Sequence, residues 1–506
     1  MFENAIRAGQ TSVYQQFRSR AIAAAEAPAL EFEGKTASYG AVLQRVNQLA
    51  NALRTRGIGH GDRVAILSHN RPEYIEVELA AAALGAIVCC LNWRLVRTEL
   101  SHCISLVAPS LVITESAFLA DLDSITDVPL VTIGDDYETM IAAAGHEMPD
   151  VGLDPEDGLV ILYTSGTTGL PKGAVISHRA MIARAMLFTS ELNLAIEDGF
   201  VAWAPLFHMV STDHALATLM RGGLVVIVDG YHPDSLVRAV EQHKIGWFVL
   251  IPGMIEDFIG ACSAAAIKPR GIKVCGAMAD LVPPQQLAEV TRLLGTPYSN
   301  SFGATETGLA PASRGQIAPG EVPDRLSKTQ TAFCEIRLLD PEDRDVADGE
   351  PGEMALRGPT LFSGYWNADA ANAEAFRGGW FHMGDMFRRN PDGTLDFVDR
   401  AKYLIKTGGE NVYPAEIEKV LLADPGVSDA AVVRAADPRW GETPVAFVAR
   451  LSDDVTEASL MQRCKASLAR YKLPRQIRFI PFEDFPRSTS GKIQRHLLEE
   501  TLKTSQ

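Results

Sequence analysis

The stretch LYTSGTTGLPKG, residues 162–173, follows an apolar strand and gathers glycines, hydroxyl side chains and one lysine into a single loop. Glycine lets backbone amides point at a ligand, and hydroxyls and a cation add further donors, so such a loop is suited to a chain of phosphates. It is not a Walker A loop, because Lys172 follows a proline and precedes a glycine. Taken alone it also fits an ordinary surface turn, so the rest of the sequence must decide.

Two later motifs carry groups that a nucleotide needs. SFGATETG, from Ser301, offers Phe302 as a flat face for a base and Glu306 as a carboxylate for magnesium on phosphate oxygens. GWFHMGDM, from Gly379, offers Asp385, whose carboxylate can accept a hydrogen bond from each of the two hydroxyls of a ribose. Each motif is weak singly, since a Gly-Asp pair is most often a turn.

Around these motifs, helical patterns such as the one from Tyr39 alternate with short β-branched strands such as those from Arg63 and Ser110. This alternation is typical of an α/β protein whose parallel strands are covered by helices. After about residue 330 the pattern becomes strand-rich, and after Arg400 it alternates between short strands and helices. We therefore predict a large N-terminal domain over residues 1–400, with parallel-rich sheets and a strand-rich subdomain. A small mobile α+β C-terminal domain is predicted over residues 401–506.

Composition excludes several classes of protein. The 506 residues carry a formal net charge of -16, which opposes nucleic acid as the main partner. Seven cysteines without a CxxC pair predict reduced core residues, not a disulfide or zinc framework. The longest uncharged apolar stretch, residues 79–93, is shorter than the roughly 20 residues of a membrane span, and no signal peptide is apparent. A cytoplasmic protein is expected.

Five motifs in order make the chain resemble the acyl-adenylate-forming superfamily of acyl-CoA synthetases, adenylation domains and luciferases. The last two are DRAKYLIKTGGENVYPAEIE, from Asp399, and PRSTSGKIQR, from Pro486. The resemblance covers about residues 10–500 and is strongest to AMP-forming acid:CoA ligases. It implies that a carboxylate attacks the α-phosphate of ATP, pyrophosphate leaves, and the acyl group passes to CoA. ATP, Mg²⁺ and CoA are the implied cofactors, and a small to medium monocarboxylic acid, aromatic acids included, is the implied substrate.

The resemblance also implies which residues form the site. Those that cradle phosphates are Thr164, Ser165, Gly166, Thr167, Thr168, Gly169 and Lys172. Those that hold adenine and ribose are Gly276, Ala277, Met278, Phe302, Asp385 and Arg400. The catalytic set is Lys492, Glu306, Thr305 and His208, and the magnesium ligands are Glu306 and Thr164. In the C-terminal domain, Lys402 is the implied hinge, Lys406 serves the second half-reaction, and Gly408 and Gly409 line the pantetheine tunnel.

The acyl pocket is the part of the site that the sequence defines least. WAPLFHMVSTDH, from Trp203, carries His208, which is expected to gate or orient the carboxylate, although a lone histidine is more often a core residue. Asp213 and His214 either line a polar pocket or begin a helix, and we expect the helix. Met383 and Tyr403 stand where the family often has Thr and Asp.

Several alternatives remain at this stage. An enzyme that loads an acyl carrier protein uses the same motifs, and so does a light-emitting oxygenase. A regulatory protein that kept only the fold predicts the loss of a charged group, whereas Lys172, Glu306, Asp385 and Lys492 are all present. A homodimer is a candidate assembly, because dimers are common among soluble enzymes.

Overall fold

The computed structural model describes residues 5, 8–147, 151–164, 170–407, 410–487 and 493–503. Contacts divide the chain into two compact units. The first comprises Met1–Ile336 and Leu356–Phe381, and the second comprises Arg337–Ala355 and His382–Gln506. This division follows contacts alone, and the domain boundary predicted at residue 400 stays a prediction.

The first unit is built on two large sheets whose strands are mostly parallel, and it also contains a separate antiparallel pair of strands at residues 303–304 and 308–311. Its strands are β1 (Pro28–Phe32), β2 (Lys35–Ser38), β3 (Arg63–Leu67), β4 (Ile87–Cys90), β5 (Leu111–Thr114), β6 (Leu130–Thr132), β7 (Gly158–Thr164), β8 (Lys172–Ser177), β9 (Gly199–Ala202), β10 (Val225–Ile227), β11 (Ile245–Phe248), β12 (Ile272–Cys275), β13 (Tyr298–Ser299), β14 (Gly303–Ala304), β15 (Gly308–Pro311) and β16 (Gln316–Ile317). The larger sheet has the order β16-β13-β12-β11-β9-β10-β1-β2 and the smaller the order β6-β5-β3-β4-β7-β8. Strands β13 to β1 along the larger sheet, and β6 to β7 along the smaller, pair in parallel. The predicted α/β class is confirmed.

Helices alternate with these strands along the chain, and most of them bury apolar side chains. They are α1 (Val13–Ala23), α2 (Tyr39–Thr55), α3 (Pro72–Leu84), α4 (Arg97–Val107), α5 (Leu119–Asp123), α6 (Asp135–Ala142), α7 (His178–Glu191), α8 (Met209–Arg221), α9 (Pro233–Gln242), α10 (Ile255–Ala265), α11 (Pro284–Leu294) and α12 (Asp369–Ala375). Short 3₁₀ turns lie at Ser116–Phe118, Ala279–Leu281 and Arg377–Gly379. In α2, Ser38 caps the first turn, and Val42, Val46, Leu49 and Leu53 form the buried stripe. Helix α3 is buried all round from Tyr74 to Leu84, so its two interior glutamates, Glu76 and Glu78, lie in the core.

The later part of the chain forms two further sheets. Its strands are β17 (Glu335–Leu339), β18 (Pro351–Arg357), β19 (Phe381–Arg389), β20 (Leu395–Arg400), β21 (Ile405–Thr407), β22 (Glu410–Val412), β23 (Val427–Asp437), β24 (Gly441–Arg450) and β25 (Gln476–Phe479). Its helices are α13 (Pro414–Leu422), α14 (Glu457–Ser467) and α15 (Arg495–Lys503), with 3₁₀ turns at Ala401–Tyr403, Arg470–Lys472 and Phe482–Asp484. The first sheet has the order β17-β18-β19-β20, and the second has the order β22-β21-β24-β23 with β25 beside β24.

The period of two along β23 explains why helices cover both faces of the second sheet. Val432 packs with α13 and α14, whereas Val433 packs with Leu498 and Leu502 of α15. The predicted α+β pattern after Arg400 is confirmed by this arrangement.

Two predictions from composition can be compared with the described residues. Six of the seven cysteines are buried and Cys334 is partly buried, which agrees with the expected core positions. Across the described ranges, no helix has both the length and the apolar character needed to cross a bilayer.

Candidate active site

The motifs of the first unit follow the carboxyl ends of parallel strands. The phosphate loop follows β7, the segment 203–208 follows β9, Gly276 follows β12, and Ser301 lies shortly after β13. The carboxyl edge of a parallel sheet is where α/β proteins form ligand sites, because the loops from neighbouring strands meet there. Strand order in the larger sheet thus brings together the segments that follow β9, β12 and β13, whereas the phosphate loop follows a strand of the smaller sheet.

The phosphate loop is a hairpin connection. Thr164, at the end of β7, pairs with Lys172, at the start of β8, in an antiparallel ladder. Residues Ser165, Gly166, Thr167, Thr168 and Gly169 lie outside the described residues. The two ends of the loop are therefore fixed by sheet hydrogen bonds, and Lys172 is held at one of them.

The segment 363–366 runs alongside β8 and brings a tyrosine to Lys172. Val175 N donates to Gly364 O (2.9 Å), and Trp366 N donates to Gly173 O (2.8 Å). Between these bonds, Tyr365 places its ring centroid 4.9 Å from Lys172 Nζ. Such a contact between a cation and a ring face is favourable and orients the lysine.

The same tyrosine reaches Glu306. Tyr365 donates its O–H to Glu306 Oε1 (2.8 Å), and Phe362 N donates to Glu306 O (2.9 Å). Among the residues that the structure describes, only Tyr365 hydrogen-bonds the Glu306 carboxylate, which leaves Oε2 for a ligand. Sequence reasoning missed Tyr365, because it lies 59 residues from Glu306 and stands in none of the motifs.

This carboxylate fits a magnesium ion of the kind that accompanies nucleotides. Within the described ranges no three His, Cys, Asp or Glu side chains cluster as a metal cage. Magnesium, however, is usually held by one or two carboxylates together with substrate phosphates, so it needs no such cage. Glu306 is partly exposed and has an oxygen available, as that mode of binding requires.

A buried ion pair fixes the backbone next to Glu306. Arg184 Nη1 lies 3.0 Å from Asp213 Oδ2, and both side chains are 3% exposed. Arg184 also donates to Thr305 O (3.0 Å) and Thr360 O (2.9 Å). Burial raises the pKa of Asp213, and the charge of Arg184 opposes that shift. The pair was not foreseen from the sequence, and it positions Thr305 through its carbonyl.

The predicted adenine segment is a tightly packed turn. Tyr298 donates its O–H to Ala277 O (2.9 Å), and Trp247 Nε1 donates to Gly276 O (2.8 Å). Met278 N donates to Ser301 Oγ (3.3 Å), so the segment 276–278 lies beside the motif that contains Phe302. Gly276 has φ +74°, and a Cβ there would lie 2.0 Å from the Tyr298 ring.

Replacing Gly276 by alanine is therefore expected to lower the free energy of unfolding by roughly 2 kcal/mol or more, because a left-handed backbone and overpacking both oppose the side chain. Urea denaturation measures the loss, and the dissociation constant of an ATP analogue should rise with it. Gly295 is a matched control, because it has φ +64° and a Cβ added there would meet nothing within 4 Å. A loss no larger in Gly276→Ala than in Gly295→Ala would contradict the packing argument.

The histidines near the predicted acyl pocket have different environments. His208 is exposed and caps α8, where its Nδ1 accepts from Val210 N (3.2 Å). His214 is buried within α8, donates Nδ1–H to Val210 O (2.6 Å) and packs on Phe188 and Trp247. Burial lowers the pKa of His214 to about 3, so it is a neutral core residue. Asp213 and His214 lie in the helix that we expected.

In the second unit, Asp385 and Arg400 face each other across β19 and β20. Arg400 Nε lies 2.7 Å from Asp385 Oδ1, and the Asp385 side chain is 2% exposed. The pair places a nearly buried carboxylate against a partly exposed guanidinium, and the contact of these two residues with ribose stays a prediction.

The implied hinge region is anchored through its backbone. Lys402 is exposed with its Nζ 4.9 Å from the Tyr403 ring centroid, and Arg434 Nη2 donates to Lys402 O (2.7 Å). Lys406 is exposed, and its N–H donates to Glu442 Oε2 (2.8 Å). Gly408, Gly409 and Lys492 lie outside the described residues.

Comparison with known proteins gives a consistent result. The sequence matches the AMP-binding enzyme family over residues 17–366 and the AMP-binding enzyme C-terminal domain over residues 416–492. An indoleacetate–CoA ligase of Aromatoleum aromaticum is 33% identical over 92% of this chain and 93% of its own length. A feruloyl-CoA synthase of Amycolatopsis sp is 32% identical over 94% and 96%, respectively. The structure of o-succinylbenzoate CoA synthetase from Bacillus subtilis with its acyl-adenylate superposes with a TM-score of 0.84 at 26% identity, covering 97% of this chain and 98% of that one.

Proposed function

The chain belongs to the AMP-binding enzymes and is an AMP-forming acid:CoA ligase, and on that premise we propose that it activates an aromatic monocarboxylic acid. The relatives and the solved structure named above act on indoleacetate, ferulate and o-succinylbenzoate, all of which contain an aromatic ring. ATP, Mg²⁺ and CoA are the other participants in the reaction.

The observation that carries the chemistry is the contact of Tyr365 with both Lys172 and Glu306. Adenylation brings a carboxylate against a phosphate chain, so charge on both must be neutralised by groups already in place. Tyr365 holds Lys172 where it can bind phosphate oxygens, and it holds Glu306 where it can bind a metal ion. A magnesium ion, when bound, supplies charge neutralisation at the phosphates.

The remaining site residues are assigned roles on this basis. Thr164 and the loop that follows it bind the phosphates, and Thr305 contacts the α-phosphate. Phe302 stacks on adenine beside Gly276, Ala277 and Met278. Asp385 and Arg400 hold the ribose, and Lys492 bridges the acid and the α-phosphate. Lys402, Lys406, Gly408 and Gly409 serve the transfer to CoA.

Aromatic side chains within and beside the segment 203–208 support the proposal that the substrate is an aromatic acid. Phe207 and Trp93 lie edge to face with ring centroids 6.3 Å apart, and Trp93 lies 4.6 Å from the ring of His69. Trp93 and His69 come from loops after β4 and β3, so they share the carboxyl edge with the phosphate loop. Flat rings of this kind favour a flat substrate, because aromatic pairs stack edge to face or offset.

The proposal is tested by AMP release from ATP and Mg²⁺ with a panel of acids, each with and without CoA. We expect indoleacetate, ferulate or another aryl acid to give CoA-dependent AMP and a thioester of matching mass, and aliphatic acids of similar length to react more slowly. A difference of one methylene in an apolar pocket is worth about 1–3 kcal/mol, so the best acid should stand out by roughly 10-fold or more. A preference for aliphatic acids would contradict the proposal. Pyrophosphate release without a CoA thioester would instead indicate a carrier protein as acceptor.

Two further proposals concern the cellular compartment and the oligomeric state of the enzyme. We propose that the enzyme works in the cytoplasm, where its substrates ATP and CoA are abundant, and that it forms a homodimer. Light scattering during size-exclusion chromatography tests the dimer, and cell fractionation tests the compartment.

A further inference from the structure

Glu78 is a buried acid that has no counter-ion among the described residues. It lies in α3, is 0% exposed, and has no ion pair with any described residue. Glu76, two residues earlier, is also buried but lies 2.6 Å from Arg45 Nε and accepts from Tyr137. An ionised carboxylate without a partner is very costly in the interior of a protein, so the two glutamates cannot be equivalent.

The only hydrogen-bond partner of Glu78 among the described residues is the hydroxyl of Thr212, whose Oγ1 lies 3.3 Å from Glu78 Oε1. That hydroxyl also makes a closer contact with the carbonyl oxygen of Leu206, which can only accept. A hydroxyl has one hydrogen, so when Thr212 donates to Leu206 O, the proton of the longer bond comes from Glu78. Burial raises the pKa of Glu78 well above its usual range; the hydrogen bond with Thr212 opposes this shift, and the charge of Asp213 adds to it.

Thr212 belongs to a set of side chains that hydrogen-bond the backbone of the segment 203–208. Ser211 Oγ donates to Ala204 O (2.6 Å). Asn70 Nδ2 donates to Ala204 O (2.8 Å), and its Oδ1 accepts from Leu206 N (2.8 Å). This segment ends in Phe207 and His208, so its backbone determines where those two side chains lie.

The same turn of α8 is also connected, through Asp213 and Arg184, to the backbone of Thr305. Asp213, next to Thr212, pairs with Arg184, and Arg184 donates to Thr305 O. An ionised Glu78 would draw the Thr212 hydrogen away from Leu206 O and would repel Asp213. The neutral form of Glu78 is therefore compatible with the hydrogen bond from Thr212 to Leu206 O and with the ion pair of Asp213 and Arg184. The ionised form disturbs both interactions.

We propose that Glu78 is a positioning residue of the ligase that remains a neutral carboxylic acid and, through Thr212, holds the segment that presents Phe207 and His208 to the acid substrate. The role in catalysis rests on the proposed function, whereas the protonation of Glu78 does not. Glu78 itself is not required to touch the substrate.

Glu78→Gln keeps a neutral donor of nearly the same shape, so KM for the acid and kcat should stay close to those of the wild type. Glu78→Met keeps the length but removes the donor, and KM for the acid should rise roughly three- to tenfold, which corresponds to one lost hydrogen bond. KM for ATP should change less. Thr212→Val should reproduce this rise, and adding it to Glu78→Met should produce little further change, because the two residues act in one chain.

Glu76→Gln is the matched control from the same helix. It removes the negative charge that pairs with Arg45, so it should lower the melting temperature while leaving KM for the acid unchanged. Equal impairment of Glu78→Gln and Glu78→Met would overturn the proposal, because the charge would then be what matters. An equal rise of both KM values in Glu78→Met would also overturn it, since that indicates a general structural role.

Infrared difference spectroscopy tests the protonation without using the activity. The spectrum of the wild type minus that of Glu78→Gln should contain the C=O band of a carboxylic acid at neutral pH. A carboxylate band in its place would overturn the proposal even if the ligase activity is confirmed, and it remains decisive if Glu78→Met fails to fold.

Discussion

Replacing Lys492 by alanine is expected to slow acyl-adenylate formation by about 10²- to 10³-fold, the usual effect of losing a positioned charge at a developing oxyanion. Transfer of the acyl group from a supplied acyl-adenylate to CoA should be largely unchanged. A compact ammonium can bridge the acid and the α-phosphate and then withdraw, so it serves only the first half-reaction. Pyrophosphate release and thioester yield, measured separately, distinguish the two steps.

The segments on either side of Lys492 are held by contacts that do not involve its side chain, so we expect Lys492→Ala to fold. Arg487 and Ile493 form an antiparallel bridge, and Gln494 N donates to Pro486 O (2.7 Å). Arg495 then lies 2.6 Å from the buried carboxylate of Glu418. Lys465→Ala, at an exposed position of α14, is the matched control and should leave both steps intact. Equal loss of both half-reactions in Lys492→Ala would contradict its assignment to adenylation.

The parts of the fold that could be predicted from the sequence depend on local patterns. The apolar spacing from Tyr39 predicts α2, and Ser38 caps it, so pattern and capping agree on where this helix begins. The β-branched runs from Arg63 and Ser110 are strands β3 and β5. The order of strands in a sheet does not follow from such patterns, because it depends on which apolar faces pack together over long distances in sequence.

The candidate site shows the same division between local and distant information. Lys172 and Glu306 stand in motifs whose composition suggests phosphate and metal chemistry. Tyr365 and Arg184 stand in none of the motifs, and an arginine in a helix most often indicates an exposed position. Asp213 stands in the stretch from Trp203, but nothing in that stretch indicates its pairing with Arg184. Their contacts join segments 29 to 121 residues apart, so only the folded chain shows that they belong to the site.

Charge state is a further property that the sequence does not show. Glu76 and Glu78 are separated by one residue on the same apolar helix. The only other charged residue of that helix is Glu73, so the sequence does not indicate which of the two glutamates has a charged partner. Residues i and i+2 of a helix point to different sides, so they meet different partners. Glu76 meets Arg45 and Tyr137, whereas Glu78 meets the hydroxyl of Thr212.

The second large effect is expected for Glu306→Gln, which keeps the size of the side chain but removes its negative charge. We expect adenylation at limiting Mg²⁺ to slow by about 10²-fold, because a metal ion contributes several kcal/mol of charge stabilisation at phosphate oxygens. Raising the Mg²⁺ concentration should recover part of the rate, since the substrate phosphates still bind the ion. Pyrophosphate release measured across a Mg²⁺ series gives the shift directly.

Tyr365→Phe is the matched variant, because it removes the hydrogen bond to Glu306 while keeping the ring against Lys172. Loss of a hydrogen bond to a charged group costs about 1.5–3 kcal/mol when buried. At this partly exposed site we therefore expect the rate of adenylation at limiting Mg²⁺ to fall by roughly 10-fold. If Glu306 binds the metal and Tyr365 only orients it, the phenylalanine variant should shift the Mg²⁺ dependence in the same direction by a smaller amount. An unchanged Mg²⁺ dependence in Glu306→Gln would show that its carboxylate acts on the protein and not on the metal, and the assignment of Glu306 would then fail.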